Sequence, residues 1–230
     1  MTSHRKVAID DVEAFNDELA RTHDIDDYYG RSSLPVRLIE GRRLRLIHQL
    51  VTDRAHHRIL EVGCGGGHVL RLFPDSELTG VDVSGVMLEK AKRNLAGLSA
   101  TLLKGELADH SFGDQSFDAI ICTEVLEHVV EPEAILAEMQ RLLRPAGGLV
   151  VTFPNDRLIN GAKALLRRSG LSRLPLFSRS DWGGDDFHLH VWSITEMRAL
   201  LERYFQVDSA AFAPLRALPI RCCFRCLRRD

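Results

Sequence analysis

The sequence predicts an α/β fold: a single doubly wound, mostly parallel seven-stranded sheet with an antiparallel C-terminal edge strand. Three observations carry this prediction. From residue 58 onward, short apolar runs alternate with segments of helical periodicity, the pattern of a parallel sheet. Residues 59–67 run from an apolar strand through Glu61 into a turn with glycine at 63, 65, 66 and 67. A second apolar run, 78–82, ends in Asp82, where a sheet of this kind can hydrogen-bond a ribose.

The elements follow in order. The segment to about residue 30 is polar and acidic, punctuated by Phe15, Tyr28 and Tyr29, and predicts one or two short helices. Over 36–51 an apolar stripe of Val36, Leu38, Ile39, Leu46, Ile47 and Leu50 predicts a helix. Strand 1 is 58–62, followed by a helix over 67–73 that Pro74 stops. Strand 2 is 77–82. Ser84 is a suitable N-cap for a helix that runs to about Leu95 and ends at Gly97. Strand 3 is about 100–104. Strand 4, Phe117 to Cys122, is almost continuously apolar, as a strand buried on both faces requires. A helix over about 132–143 ends at Pro145-Ala146-Gly147-Gly148, and strand 5 is 149–153. Residues 155–190 break the alternation and read as an insertion. A helix over 194–203 and strands near 205–212 and 220–227 close the chain. It is read as one domain: an N-terminal helical cap (1–57), a nucleoside-binding core (58–153), a lid insertion (154–192), and a C-terminal helix with strands (193–230).

Composition limits the function. A chain of 230 residues with 45% hydrophobic and 27% charged residues suits one soluble domain with a sizeable core. A formal charge of −2 disfavours nucleic acid as a general partner. No apolar run reaches the length of a membrane span and no signal-peptide core opens the chain. The five cysteines include Cys64 and Cys122 in predicted core segments, which points to a reducing cytoplasm. Cys223-x-x-Cys226 has no second pair, so zinc there is disfavoured.

The glycine spacing selects the ligand. A dinucleotide loop needs a third glycine where this chain has His68. The pattern present is E-x-G-x-G-x-G, from Glu61, Gly63, Gly65 and Gly67. It resembles the first motif of the class I S-adenosylmethionine (SAM)-dependent methyltransferases, which have a Rossmann-like sheet. Phe117-Asp118 and Leu142-Leu143-Arg144-Pro145-Ala146-Gly147-Gly148 resemble later motifs of that superfamily. The loop 62–67, the segment Glu124 to Val129 and an insertion opening at Asn155 are most similar to the ubiquinone-biosynthesis-type O-methyltransferases.

That resemblance implies roles by position. Gly63, Gly65 and Gly67 would meet the methionine half of SAM, and Glu61 would orient its amino group. Asp82 would hold the ribose hydroxyls. Glu106 and the amide of Leu107 would flank the adenine, with Glu106 standing where the family usually has aspartate. Thr123 would flank the sulfonium. Arg43 lies where these enzymes place an arginine near the SAM carboxylate; a solvated face of a basic helix is the other reading.

The residues after strand 4 carry the acceptor chemistry. Methylating an oxygen requires proton removal, and His128 titrates in the range of a base at neutral pH. Glu124, Glu127 and His128 are spaced i, i+3, i+4 and share a face if the segment is helical. Glu124 and His128 are therefore the catalytic candidates. Glu124, Glu127 and His128, completed by His188 or His190, could also hold a divalent metal; a purely structural role for the loop is the third reading. The E-x-x-E-H pattern with a distant histidine also resembles metal-assisted small-RNA 2′-O-methyltransferases.

The insertion should select the acceptor. Leu158, Ile159, Ala162, Leu165 and Leu166 fall at helical spacing beside Lys163, Arg167 and Arg168. Such a helix can lid a hydrophobic substrate or lie on an anionic membrane surface through 158–177. Residues 181–192 mix aromatic and ionisable groups. Arg221, Arg225, Arg228 and Arg229 read as a solvated strand face and tail. The expected function is methyl transfer from SAM to a small, lipophilic or aromatic acceptor at oxygen, in the cytoplasm or at a membrane surface. RNA 2′-O-methylation, C- or N-methylation of another metabolite, and a non-enzymatic subunit role are the alternatives.

Overall fold

The computed structural model describes Asp17 and residues 34–52, 58–169 and 188–229, without the side chains of residues 163, 166 and 167. The short helices expected before residue 30, and residues 170–187 of the insertion, lie outside the described residues.

Seven strands form one sheet in the order β3-β2-β1-β4-β5-β7-β6. They are β1 (Arg58–Val62), β2 (Glu77–Asp82), β3 (Ala100–Lys104), β4 (Phe117–Thr123), β5 (Leu143–Pro154), β6 (Phe205–Leu215) and β7 (Leu218–Arg228). The first five pair in parallel. β7 runs antiparallel to both of its neighbours, β5 and β6. The C-terminal strand is thus antiparallel as expected, but lies one place in from the edge, with β6 outermost.

Both faces of the sheet are covered, which is why its central strands read as continuous apolar runs. Leu60, Val62, Ile120 and Cys122 point to one core, filled by Leu136 and Met139 of α3 (Pro132–Leu142) and by Met197 and Leu201 of α5 (Ile194–Leu201). Ile59, Ala119 and Ile121 point to the other, filled by Ile47 and Val51 of α1 (Leu34–Thr52) and by Leu88 and Ala91 of α2 (Gly85–Asn94). A third, smaller cluster joins Ile39 and Leu46 of α1 to Ile159 of α4 (Asp156–Arg168) and to Ala213, Ile220 and Cys223. That cluster fastens α1 and α4 over β6 and β7, beside the carboxyl end of β5.

Two expectations are corrected. The helix predicted over 67–73 is a series of turns with one 3-10 turn at Leu70–Leu72. Glycines at positive φ before it and Pro74 after it leave room for little more than one turn. The Pro145-Ala146-Gly147-Gly148 segment does not separate helix from strand. β5 begins at Leu143, opposite Phe117, and a register shift follows before Gly148 pairs with Ala119. Ala146 has φ 60° there, and a Cβ on Gly147 would lie 2.8 Å from the Arg144 carbonyl oxygen.

The other boundaries agree to within a few residues because local signals set them. Ser84 caps α2 by accepting from the Met87 amide at 3.2 Å. Ser193 and Glu196 form a reciprocal capping box at the start of α5. Among the described residues no helix is long and apolar enough to cross a membrane.

Candidate active site

The strand order reverses direction at β1 and β4, and their carboxyl ends open the crevice where such sheets bind ligands. The glycine loop fills the β1 side. Gly63 and Cys64 both donate backbone N–H groups to the Val81 carbonyl, at 2.8 and 3.0 Å. Gly63, Gly65 and Gly67 have φ of 70°, 48° and 74°, a region that side chains disfavour. A Cβ on Gly63 would stand 2.3 Å from Val125 Cγ2, whereas one on Gly65 would meet nothing within 4 Å among the described residues. Gly63 is therefore required by packing, and Gly65 borders open space.

Asp82 ties this loop to the next. Its Oδ2 accepts from the Gly65 amide at 2.8 Å and its Oδ1 from the Ser84 amide at 2.9 Å. Burial pushes the Asp82 carboxyl up; the two amides pull it back, and Asp17 adds a like charge nearby. Asp17 itself accepts from Ser84 Oγ at 2.5 Å and from the Val86 amide at 3.3 Å.

Glu61 is almost fully buried. Thr123 Oγ1 donates to its Oε1 at 3.4 Å, while Oε2 has no hydrogen-bond partner among the described residues. Burial holds the Glu61 carboxyl well above its usual range. A buried acceptor without a donor fits an incoming ammonium group, whose charge would restore the carboxylate. With the open flank of Gly65, this loop can take the amino-acid end of SAM. Glu106 is exposed at the start of the 3-10 turn Leu107–Asp109, where its amide donates to Asp109 Oδ2 at 2.8 Å, with Leu107 buried beneath.

Arg43 is buried, not solvated. Its Nε donates to Glu40 Oε2 at 2.7 Å and its NH1 to Thr152 Oγ1 at 3.4 Å. Arg221 Nε donates to the other oxygen of Glu40 at 3.0 Å. Burial pushes Glu40 up, but the two guanidinium groups outweigh it and the net shift is downward. Glu124 completes the group, 3.8 Å from Arg43 NH1 and 3.6 Å from Arg221 Nε, with Thr152 Oγ1 donating to it at 3.0 Å.

Glu124, Glu127 and His128 do not share a helical face. The segment is a turn, and Glu124 has φ 54°, which sends its side chain towards the arginines. Glu127 and His128 turn the other way, to His188; one ligand atom from each of these three lies within 4.8 Å of the others. Both carboxylate oxygens of the buried Glu127 lack hydrogen-bond partners among the described residues, and burial, reinforced by Glu124, holds it well above the usual range. His188 Nδ1 lies 2.7 Å from Asp156 Oδ2, and its ring meets that of His128 edge-on at 4.8 Å. The expected place of His190 in this cluster is corrected. Its Nε2 lies 3.0 Å from the Val129 carbonyl oxygen, and its ring stacks on Trp192.

Sequence reasoning missed Glu40, Asp156 and Arg221. Arg221 and Arg225, expected on a solvated strand face, are both buried, Arg225 beside Asp208 at 3.7 Å. Their signal was the apolar and cysteine-rich company they keep in β7, unusual for an exposed charge. Asp156 gave no signal before the fold brought it to His188.

The comparisons agree with this geometry. Residues 60–151 match the family model described as a methyltransferase domain. With the glycine loop and the sheet order, this match supports a SAM-dependent methyltransferase. Among its relatives is the ubiquinone biosynthesis O-methyltransferase of Vibrio atlanticus, 25% identical over 178 residues that span 73% of each chain. The protein of the same name from Coxiella burnetii is 31% identical over 146 residues, 60% of this chain and 62% of the relative. The N-methyltransferase NodS of Bradyrhizobium japonicum, solved with S-adenosylhomocysteine, superposes with a TM-score of 0.62 at 20% identity, over 84% of this chain and 88% of that one. A protein from Pyrococcus horikoshii gives 0.66 at 21% identity, over 92% and 99%. At these identities the two structures speak for the fold.

Proposed function

We propose that this methyltransferase transfers the methyl group of SAM to an oxygen of a small, lipophilic or aromatic acceptor. The observation that carries the reading is the setting of His128. It is exposed beside a rim of exposed apolar side chains, Val130, Leu189 and Val191. Backbone bonds from Leu189 and His190 to the Glu127 carbonyl, at 2.8 and 3.1 Å, hold the two segments side by side. The names of the O-methyltransferase relatives support the choice of oxygen.

When bound, SAM supplies an activated methyl group, so that the acceptor's C–O bond forms as the C–S bond breaks and its electron pair returns to sulfur. The chain's own residues align the partners, an effect worth about 7–11 kcal/mol in favourable cases. Gly63, Gly65 and Gly67 present backbone to the methionine half, Glu61 takes the amino group and Arg43 the carboxylate. Asp82 holds the ribose, Glu106 and the Leu107 amide border the adenine, and Thr123 lies by the sulfonium. His128 takes the acceptor's proton. At saturating SAM, His128→Ala should lower turnover of quinol- or catechol-type phenols about 100-fold or more, with S-adenosylhomocysteine affinity kept within about twofold. Equal turnover by the variant would remove His128 from the chemistry, and turnover of RNA but not of phenols would overturn the acceptor class.

The orphaned oxygens of Glu127 favour a second reading, in which His128 is a ligand in place of a base. Glu127, His128 and His188 can together hold a divalent cation, with Asp156 orienting His188 in the manner of an outer carboxylate. Glu124 and His190 are not part of this set. Such an ion would lower the pKa of a bound hydroxyl. Calorimetric titration with Mn²⁺ or Zn²⁺ should give saturable binding that Glu127→Gln weakens at least about tenfold. Absence of binding to the wild-type protein would leave His128 and His188 as a metal-free pair.

A further inference from the structure

We propose that Glu124 competes with the cofactor's carboxylate for Arg43, and that cofactor binding transfers it to Arg221. This rests on the reading that Arg43 receives the methionine carboxylate. Four charged side chains from three parts of the chain meet here: Glu40 and Arg43 of α1, Glu124 after β4, and Arg221 of β7. Among the described residues two acids lie within ion-pair reach of these two arginines, with Glu61 and Glu127 farther off, so a carboxylate arriving at Arg43 competes with the acids already there.

Geometry decides which acid yields. Glu40 accepts one hydrogen bond from each arginine, at 2.7 and 3.0 Å, and its side chain is 2% exposed. Glu124 stands at the looser separations of 3.8 and 3.6 Å and its side chain is 24% exposed, against 6% for Arg43 and 8% for Arg221. It is the member of the quartet that reaches solvent, so it is the one an entering ligand can displace. Its main chain need not move, because the Glu124 amide donates to the Thr152 carbonyl at 3.0 Å. The link to be broken passes through Thr152 Oγ1, which donates to Glu124 and accepts from Arg43. Turning that hydroxyl away releases Arg43 NH1 from Thr152 while its Nε stays on Glu40, and Arg221 stays within ion-pair reach of Glu124.

The exchange predicts a gain of affinity from losing a charge at the site, which a merely structural role for Glu124 would not produce. S-adenosylhomocysteine would be titrated calorimetrically into the wild-type protein and the variants Glu124→Gln, Arg43→Gln and Arg221→Gln. 5′-Methylthioadenosine, which has the adenosine but no amino-acid carboxylate, serves as the second probe. Glu124→Gln, which can still bond Thr152, should bind S-adenosylhomocysteine about 3- to 10-fold more tightly. Arg221→Gln should bind it more weakly, since Glu124 then rests wholly on Arg43. Methylthioadenosine should bind all of them alike. Unchanged or weaker S-adenosylhomocysteine binding by Glu124→Gln overturns the exchange. An unchanged affinity in Arg43→Gln overturns both the exchange and the carboxylate role of Arg43, and leaves the assignment of SAM itself standing. Only a wild-type protein that binds neither probe would bring down that assignment.

Discussion

Asp82→Ala is expected to lower the affinity for S-adenosylhomocysteine at least about 100-fold, measured by isothermal titration. The carboxylate sits at the carboxyl end of β2, beside the loop that follows β1, with one oxygen on the Gly65 amide and the other on the Ser84 amide. Each carboxylate oxygen has lone pairs to spare for a ribose hydroxyl. Two hydrogen bonds to a charged acceptor contribute about 1.5–3 kcal/mol each, and 1.4 kcal/mol corresponds to a factor of about ten. Alanine also leaves the Gly65 and Ser84 amides without their acceptor, so the loop loses the fixed shape that a ligand would meet. Asp82→Asn keeps the shape and accepts on one side only; its affinity should fall between the two. Wild-type affinity in the alanine variant would remove Asp82 from the cofactor site.

The second large effect is expected at Gly63. An alanine Cβ there would lie 2.3 Å from Val125 Cγ2, on a short side chain stiff at its first torsion, and φ of 70° adds its own cost. Overpacking and left-handed backbone together should destabilise the protein by about 2–5 kcal/mol. For a chain of this size that is a fall in melting temperature of roughly 5–15 °C. Adding Val125→Ala removes the methyl group that collides and should restore part of the loss, leaving only the backbone cost. Gly65→Ala provides the contrast. With nothing among the described residues within 4 Å of its Cβ, it should lose only about 1–2 kcal/mol while weakening cofactor binding. A melting temperature for Gly63→Ala within about 2 °C of wild type would refute the packing account.

These two positions show how unevenly the site was legible. Gly63, Gly65, Gly67, Glu61 and Asp82 lie on or beside β1 and β2, whose apolar runs and turns are local signals. Their mutual geometry follows once the two strands are parallel neighbours. The Glu124–His128 segment was legible as a place but not as a shape. A 3.6-residue spacing suggested one shared face, and the left-handed backbone at Glu124 divided it in two. His188 and Asp156 lie 60 and 28 residues from His128 in the chain, and nothing local links them. Arg221 was misread because its burial depends on α1 folding over β7, and a strand pattern carries no record of which helix covers it.

The sequence by itself determined the sheet, the glycine loop and the class of cofactor, because hydrophobic periodicity, caps and positive-φ turns act within a few residues. Only the tertiary structure decided which charges share a site. It placed the outer strand pair as β5-β7-β6, sank Arg43 and Arg221 around Glu40, and set Glu124 against Glu127 and His128. The physical reason is that the energy of a buried charge depends on partners distant in sequence, which only the packed fold supplies.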